Sequence, residues 1–177
     1  MELVPSSQRP LTVSSTSEPS AAAPRAVVSL AKNQGEAVWF FEQLVIVKLR
    51  GPDAPYGVLE TELGPGGGTP FHRHTDEDEA FYLLDGELSI FLEGGRMVRA
   101  RPGSYVHIPR GVAHGLRAHT HVRALVLSNP TGFVDFAREA GTLAPRLEVP
   151  PPRPVDVEKV MALAAKYHIE LIGPLPE

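Results

Sequence analysis

The chain has 177 residues, 42% of them hydrophobic and 21% charged, with a formal net charge of -4 and a pI near 6.0, which reads as one soluble domain with enough apolar content for a core. That balance provides no broad positive field, which argues against nucleic acid and anionic lipid as primary partners and leaves a small molecule as the expected one. With no cysteine there are no disulfides, thiolate metal sites or cysteine nucleophile, so any metal must be held by His and carboxylate.

Residues 1–25, MELVPSSQRPLTVSSTSEPSAAAPR, are mostly Ser, Pro, Ala and Thr. They carry too few large apolar side chains to offset the entropy of ordering, and a disordered tail is expected. The stretch lacks a basic leader with an apolar run, and nothing later is long enough to span a bilayer, so a cytoplasmic location without a membrane partner is expected. Over residues 26–147 the chain breaks into short β-rich runs: VVSL, LVIVKLR, YGVLETEL, EAFYLL, ELSIFLE, RMVRA, SYVHI, HGLR and VRALVLS. Strands so spaced, with no helices between them, predict an antiparallel sandwich or barrel. Asp85-Gly86 and Gly94-Gly95 read as tight hairpins. The GPGGG run at Gly64 to Gly68 reads as a flexible entrance loop, because no helix start follows it as a phosphate cradle requires.

Helical spacing comes late. Phe133, Phe136, Ala137 and Ala140 follow the i, i+3, i+4, i+7 rule between Thr131 and Gly141, a helix expected to lid one end of the sheets. Residues 148–177 open with the stiff linker EVPPPRP. A second helix then runs from near Asp156 to Tyr167, with Val157, Val160, Met161 and Ala164 on one face, and is expected to pack outside the barrel.

The stretch PFHRHTDEDEAFYLLDG, Pro70 to Gly86, carries the chemistry. In a strand the side-chain period of two puts His72 and His74 on one face, where both reach a single ion. Any third ligand from Asp76 to Glu79 has to come round a bend, because an unbroken strand sends Glu79 to the opposite face; a turn at Thr75 to Asp78 removes that objection.

From Gly66 the chain fits glycine, five residues, His-x-His, four residues, Glu, six residues, glycine, through His72, His74, Glu79 and Gly86. A second block fits glycine, five residues, Pro-x-Gly, two residues, His, as Gly103, Pro109, Gly111 and His114. These blocks resemble the paired motifs of the cupin superfamily. The resemblance implies an all-β double-stranded β-helix, a jelly-roll barrel with short C-terminal helices, in which His72, His74, Glu79 and His114 bind one divalent metal. It also implies that Glu79 turns inward on a strand shared with Phe81 and Leu83, with Asp76 to Asp78 as its solvated approach. One position departs from the pattern: the Asn that commonly closes the second block is Ala118 here, which puts the local strand geometry in question.

Three imidazoles and a carboxylate suit first-row ions, Mn, Fe, Co, Ni, Cu or Zn, at about 2.0 to 2.2 Å. The segments NQGEAVWFFEQLVIVKL, HIPRGVAHGLR, SNPTGFVDFAREAG and AAKYHIELIGPLP are similar to bacterial single-domain cupins of the quercetin-dioxygenase-like group. That similarity implies an oxidoreductase taking O2 and a small aromatic, flavonol-like substrate, with Glu79 as base. A metal-dependent isomerase or cyclase and a non-catalytic small-molecule-binding cupin are the alternatives. The resemblance also implies a homodimer, for which an edge strand at Ala26 to Leu30 offers a means of pairing. Phe81 is a pocket candidate among the aromatics; His107, His119, His121 and His168 have no matching role, although strand parity leaves the face of His107 open.

Overall fold

Val122 to Asn129 alternates buried and more exposed side chains along its length, the period-two signature of a strand with one face on a core. In the computed structural model, which describes residues 27–176, that strand lies inside the larger of two sheets, with a neighbour on each side. The strands are β1 Glu36–Phe40, β2 Gln43–Leu49, β3 Gly57–Leu63, β4 Gly68–His74, β5 Asp78–Asp85, β6 Leu88–Leu92, β7 Arg96–Ala100, β8 Tyr105–Ile108, β9 His114–Ala118, β10 Val122–Asn129, β11 Thr142–Leu143 and β12 Ile169–Gly173. Helix α1 spans Gly132–Ala140 and α2 spans Val157–Lys166. A seven-stranded sheet runs β11-β1-β2-β3-β10-β5-β8 and a five-stranded sheet runs β12-β4-β9-β6-β7, with antiparallel neighbours throughout. This is the expected all-β jelly-roll, built as two facing sheets that are not hydrogen-bonded into a closed barrel. The core lies between them, with Leu63, Leu83, Leu88, Ile90 and Val122 each 1% exposed or less.

Several expectations need correction. VVSL forms no strand: residues 27–30 are irregular and exposed, so the edge expected for pairing two chains is not there. The tail at 1–25 lies outside the described residues. Asp85-Gly86 is a crossing between the two sheets, since β5 and β6 belong to different ones. Gly86 is required there: its φ is +84°, and a Cβ would sit 2.1 Å from the His121 carbonyl oxygen. Gly94-Gly95 is a hairpin as expected, joining β6 to β7.

The GPGGG run is pinned, not loose. Gly66 N–H donates to Ala118 O (2.9 Å), Ala118 N–H to Gly67 O (2.8 Å) and Gly67 N–H to Gly64 O (3.0 Å). Gly68 already belongs to β4, where a Cβ would lie 1.9 Å from Leu116 O. Ala118, in place of Asn, is a buried member of β9 whose backbone makes the first two of those three bonds, so the strand closes without the side chain.

Helix α1 begins after Thr131 and ends at Gly141, whose N–H donates to Ala137 O; it buries Val134, Phe136 and Ala137 against the larger sheet. Helix α2 is capped by the Asp156 carboxylate, which accepts from Lys159 N–H at 3.0 Å. Of its expected apolar face only Val160 and Ala164 are buried, while Val157 and Met161 remain 67% and 51% exposed. After α2 comes β12, which pairs Ile169 with His74 and Leu171 with His72 along the edge of β4.

Candidate metal centre

His72 and His74 point inward from β4, and His114 is the cross-strand neighbour of His72 on β9. Glu79 faces them from β5 in the opposite sheet, beside Phe81 and Leu83 on its buried face. The parity objection disappears because Thr75 to Glu77 carry the chain from one sheet to the other. One ligand atom from each of the four residues lies within 4.8 Å of the others. Ligands at about 2.0 to 2.2 Å from one ion stand at most about 4.4 Å apart, so a contraction of a few tenths of an ångström seats a metal.

The rings are aimed. His72 Nδ1 lies 2.9 Å from Pro70 O and His114 Nδ1 3.2 Å from Val112 O. A carbonyl only accepts, so both Nδ1 atoms carry the proton and both Nε2 lone pairs face the cluster. His114 Nε2 is 2.9 Å from Glu79 Oε2. Two lone pairs cannot meet at that distance, so either a proton, held by the ring or by the carboxyl, or a metal ion has to lie between them. His74 Nε2 is 3.8 Å from the same oxygen and has no hydrogen-bond partner. All four side chains are 7% exposed or less, an arrangement that dry, uncompensated polar groups do not tolerate. The donor set therefore fits a divalent transition ion.

Burial acts against every charge here. It holds His72 down to about 3, helped by the neighbouring His114 and His74, so this ring is neutral. For Glu79 burial pushes upward but is outweighed by the His114 hydrogen bond and the three imidazoles, leaving the carboxyl below its usual range. For His74 burial pushes down, and the Glu77 and Glu79 carboxylates overcome it and raise the ring.

Two cavities meet at the cluster. An outer chamber of about 360 Å³ opens between the β1–β2 turn, α1, α2 and β12, walled by Phe40, Phe133, Phe136, Met161 and Leu171, with His72 at its floor. An inner void of about 20 Å³ is bounded by His72, Glu79, Phe81 and Gln43, room for about one water molecule. Thr69, His72 and Phe133 line both. The outer volume is that of a drug-sized ligand site.

Phe81 is 3% exposed and lines the inner void, 6.5 Å from the His114 ring, not the outer chamber. His107 points outward and is exposed, which answers the parity question. Two residues escaped sequence reasoning. Glu77, expected in a solvated approach, is 3% exposed, 3.2 Å from His74 Nδ1, and accepts Phe133 N–H at 3.0 Å. Its neighbours Asp76 and Asp78 do face solvent, and Asp78 pairs with Arg110. Gln43 is 5% exposed, with Oε1 accepting from Thr61 and Nε2 unpartnered beside the inner void. A lone Gln in an apolar strand gives no sequence signal, whereas Glu77 was hidden by the acids around it.

Comparison with known proteins agrees with the architecture. Residues 59–128, which contain all four clustered residues, match the family described as Cupin domain. Over 107 residues the chain is 31% identical to the quercetin 2,3-dioxygenase of Bacillus subtilis (strain 168), covering 59% of this chain and 32% of that protein, so it spans about a third of the curated relative's length. The crystal structure of ectoine synthase from P. lautus superimposes with a TM-score of 0.53 at 22% identity, over 68% of this chain and 90% of that one. The polyketide cyclase RemF from Streptomyces resistomycificus gives 0.46 at 28%, over 55% and 69%. No helix among the described residues is long and apolar enough to cross a membrane.

Proposed function

We propose that this protein is a metal-dependent dioxygenase that cleaves a small, flat, aromatic or flavonol-like substrate with O2, with His72, His74, Glu79 and His114 as the ligands of one divalent transition metal. The observation that carries this reading is the meeting of that buried donor set with the apolar outer chamber at His72. The similarity to a quercetin 2,3-dioxygenase supports it. A bound ion would supply a Lewis acid for the substrate's oxygen. The chain supplies the rest. The phenyl rings of Phe40, Phe133 and Phe136 hold a planar substrate, Thr69 and Phe133 limit how deep it enters, and Glu79 Oε2, which borders the inner void and not the outer chamber, accepts the hydroxyl proton by way of the one water molecule that void has room for. The inner void admits nothing larger than about one water molecule, so the organic substrate stays in the outer chamber.

The test is an oxygen-electrode screen of flavonols and catechols with the protein as purified, after chelation, and after return of single ions. Uptake that disappears on chelation and returns with one ion is expected. Turnover that persists under nitrogen would assign the site to an isomerase or cyclase, and tight phenolic binding without uptake would make it a binding protein.

A further inference from the structure

Glu77 stands outside the four-residue cluster yet is as buried as its members. It occupies the crossing between β4 and β5, and its two oxygens have separate tasks. Oε2 accepts Phe133 N–H at 3.0 Å, one of the first-turn amides of α1 that has no partner within the helix. Oε1 lies 3.2 Å from His74 Nδ1, close enough to pair although the two are not aligned as a hydrogen bond, and neither atom has a hydrogen-bond partner elsewhere. The approach is close: a Cβ on Gly132 would stand 3.1 Å from Oε2. Phe133 also sets its ring edge-on to His74, with centroids 5.2 Å apart.

The other two imidazoles are oriented from within their own strands, each by the carbonyl two residues upstream, Pro70 for His72 and Val112 for His114. Among the three, His74 alone faces a carboxylate at Nδ1. We infer that Glu77 is the positioning residue of His74, holding it as the Nδ1–H tautomer with Nε2 toward Glu79 and making the docking of α1 part of the ligand geometry. Nδ1 faces Glu77 at 3.2 Å and Nε2 faces Glu79 at 3.8 Å, so the proton shared with Glu77 sits on the Nδ1 side of the ring and the Nε2 lone pair is left for an ion. Because Phe133 walls both cavities, the same residue links the substrate chamber to the metal position.

The inference rests on the proposed ligand set, and Glu77→Gln tests it with readouts other than turnover. A glutamine oxygen still accepts Phe133 N–H, but its amide group donates to His74 Nδ1 and drives the proton to Nε2. In the chelated protein, long-range proton–nitrogen correlation spectra are expected to show His74 as the Nδ1–H tautomer in the parent and Nε2–H in the variant. Affinity for Co2+, followed by its visible spectrum, is expected to fall about 10- to 100-fold. Asp76→Asn removes a neighbouring exposed charge and is the control, expected within twofold of the parent. A neutral parent His74 ring carrying its only proton on Nε2 overturns the inference without any variant, as does an unchanged Co2+ affinity in Glu77→Gln or an equal fall in the control. A parent that binds no Co2+ while His74 shows the Nδ1–H form instead removes the metal reading and leaves the positioning intact.

Discussion

His114 and Glu79 are 35 residues apart in sequence, sit on strands of opposite sheets, and bring Nε2 and Oε2 to 2.9 Å. The contact exists only when the two sheets face each other, so the site is a product of the complete fold. An ion bound there favours the folded state by mass action. His114→Ala is expected to abolish stoichiometric metal, read by elemental analysis. In chelator it also leaves Glu79 buried with less compensation, a loss of up to about 3–5 kcal/mol in urea unfolding. Full metal content in the variant would remove His114 from the ligand set.

Glu79→Gln separates two roles. The amide keeps the size and one coordinating oxygen, so metal content is expected to fall modestly. Proton acceptance is lost, and turnover, once a substrate is in hand, is expected to fall about 100-fold or more. Equal losses in both would reduce Glu79 to a ligand alone.

Ile169 is 5% exposed on β12, opposite His74 across the β4 edge. Ile169→Ala is expected to cost about 2–5 kcal/mol of stability by chemical denaturation with chelator present. A neutral result would show that β12 lies loosely on the sheet.

Glu60, far from the cluster, is 3% exposed and lies 3.2 Å from Lys48 Nζ and 2.5 Å from Arg123 Nε. Burial raises its carboxyl, but the bonds to Arg123 and Lys48 win and hold it below the ordinary 4.5. A folded value below the unfolded one means the stabilisation is present above about pH 4.5 and is lost as pH falls through the folded value. Glu60→Gln is expected to be about 1–3 kcal/mol less stable than the parent near neutrality. The gap should narrow on acidification to pH 3 in paired melting curves; a constant gap would deny the ion pair its role.

The strands around β10 and helix α1 were legible because period-two alternation and the i, i+3, i+4 pattern act locally. The four clustered residues were legible because their types and spacing are set by ion chemistry. What failed depends on distant partners. VVSL has strand composition but lies over the outer face of the larger sheet, where Val28 and Leu30 border a pocket with Val58, Leu84 and Leu125, and Asp85-Gly86 has hairpin chemistry yet serves a turn whose two strands pair elsewhere. The strand Ile169–Gly173 follows a helix and becomes one only by adding to β4. Glu77 looked like its neighbours in a run of acids; its burial follows from the arrival of Phe133, 56 residues later.

The pairing of β12 with β4 sets an order of events during synthesis. Until residues 169–173 have been made, the strand that carries His72 and His74 has no neighbour on that side, and its unsatisfied amides and carbonyls are available to any extended chain nearby. A nascent or prematurely terminated polypeptide ending before Ile169 would thus offer its histidine-bearing strand as a template for intermolecular aggregation, and the docking of Ile169–Gly173 is what withdraws that offer.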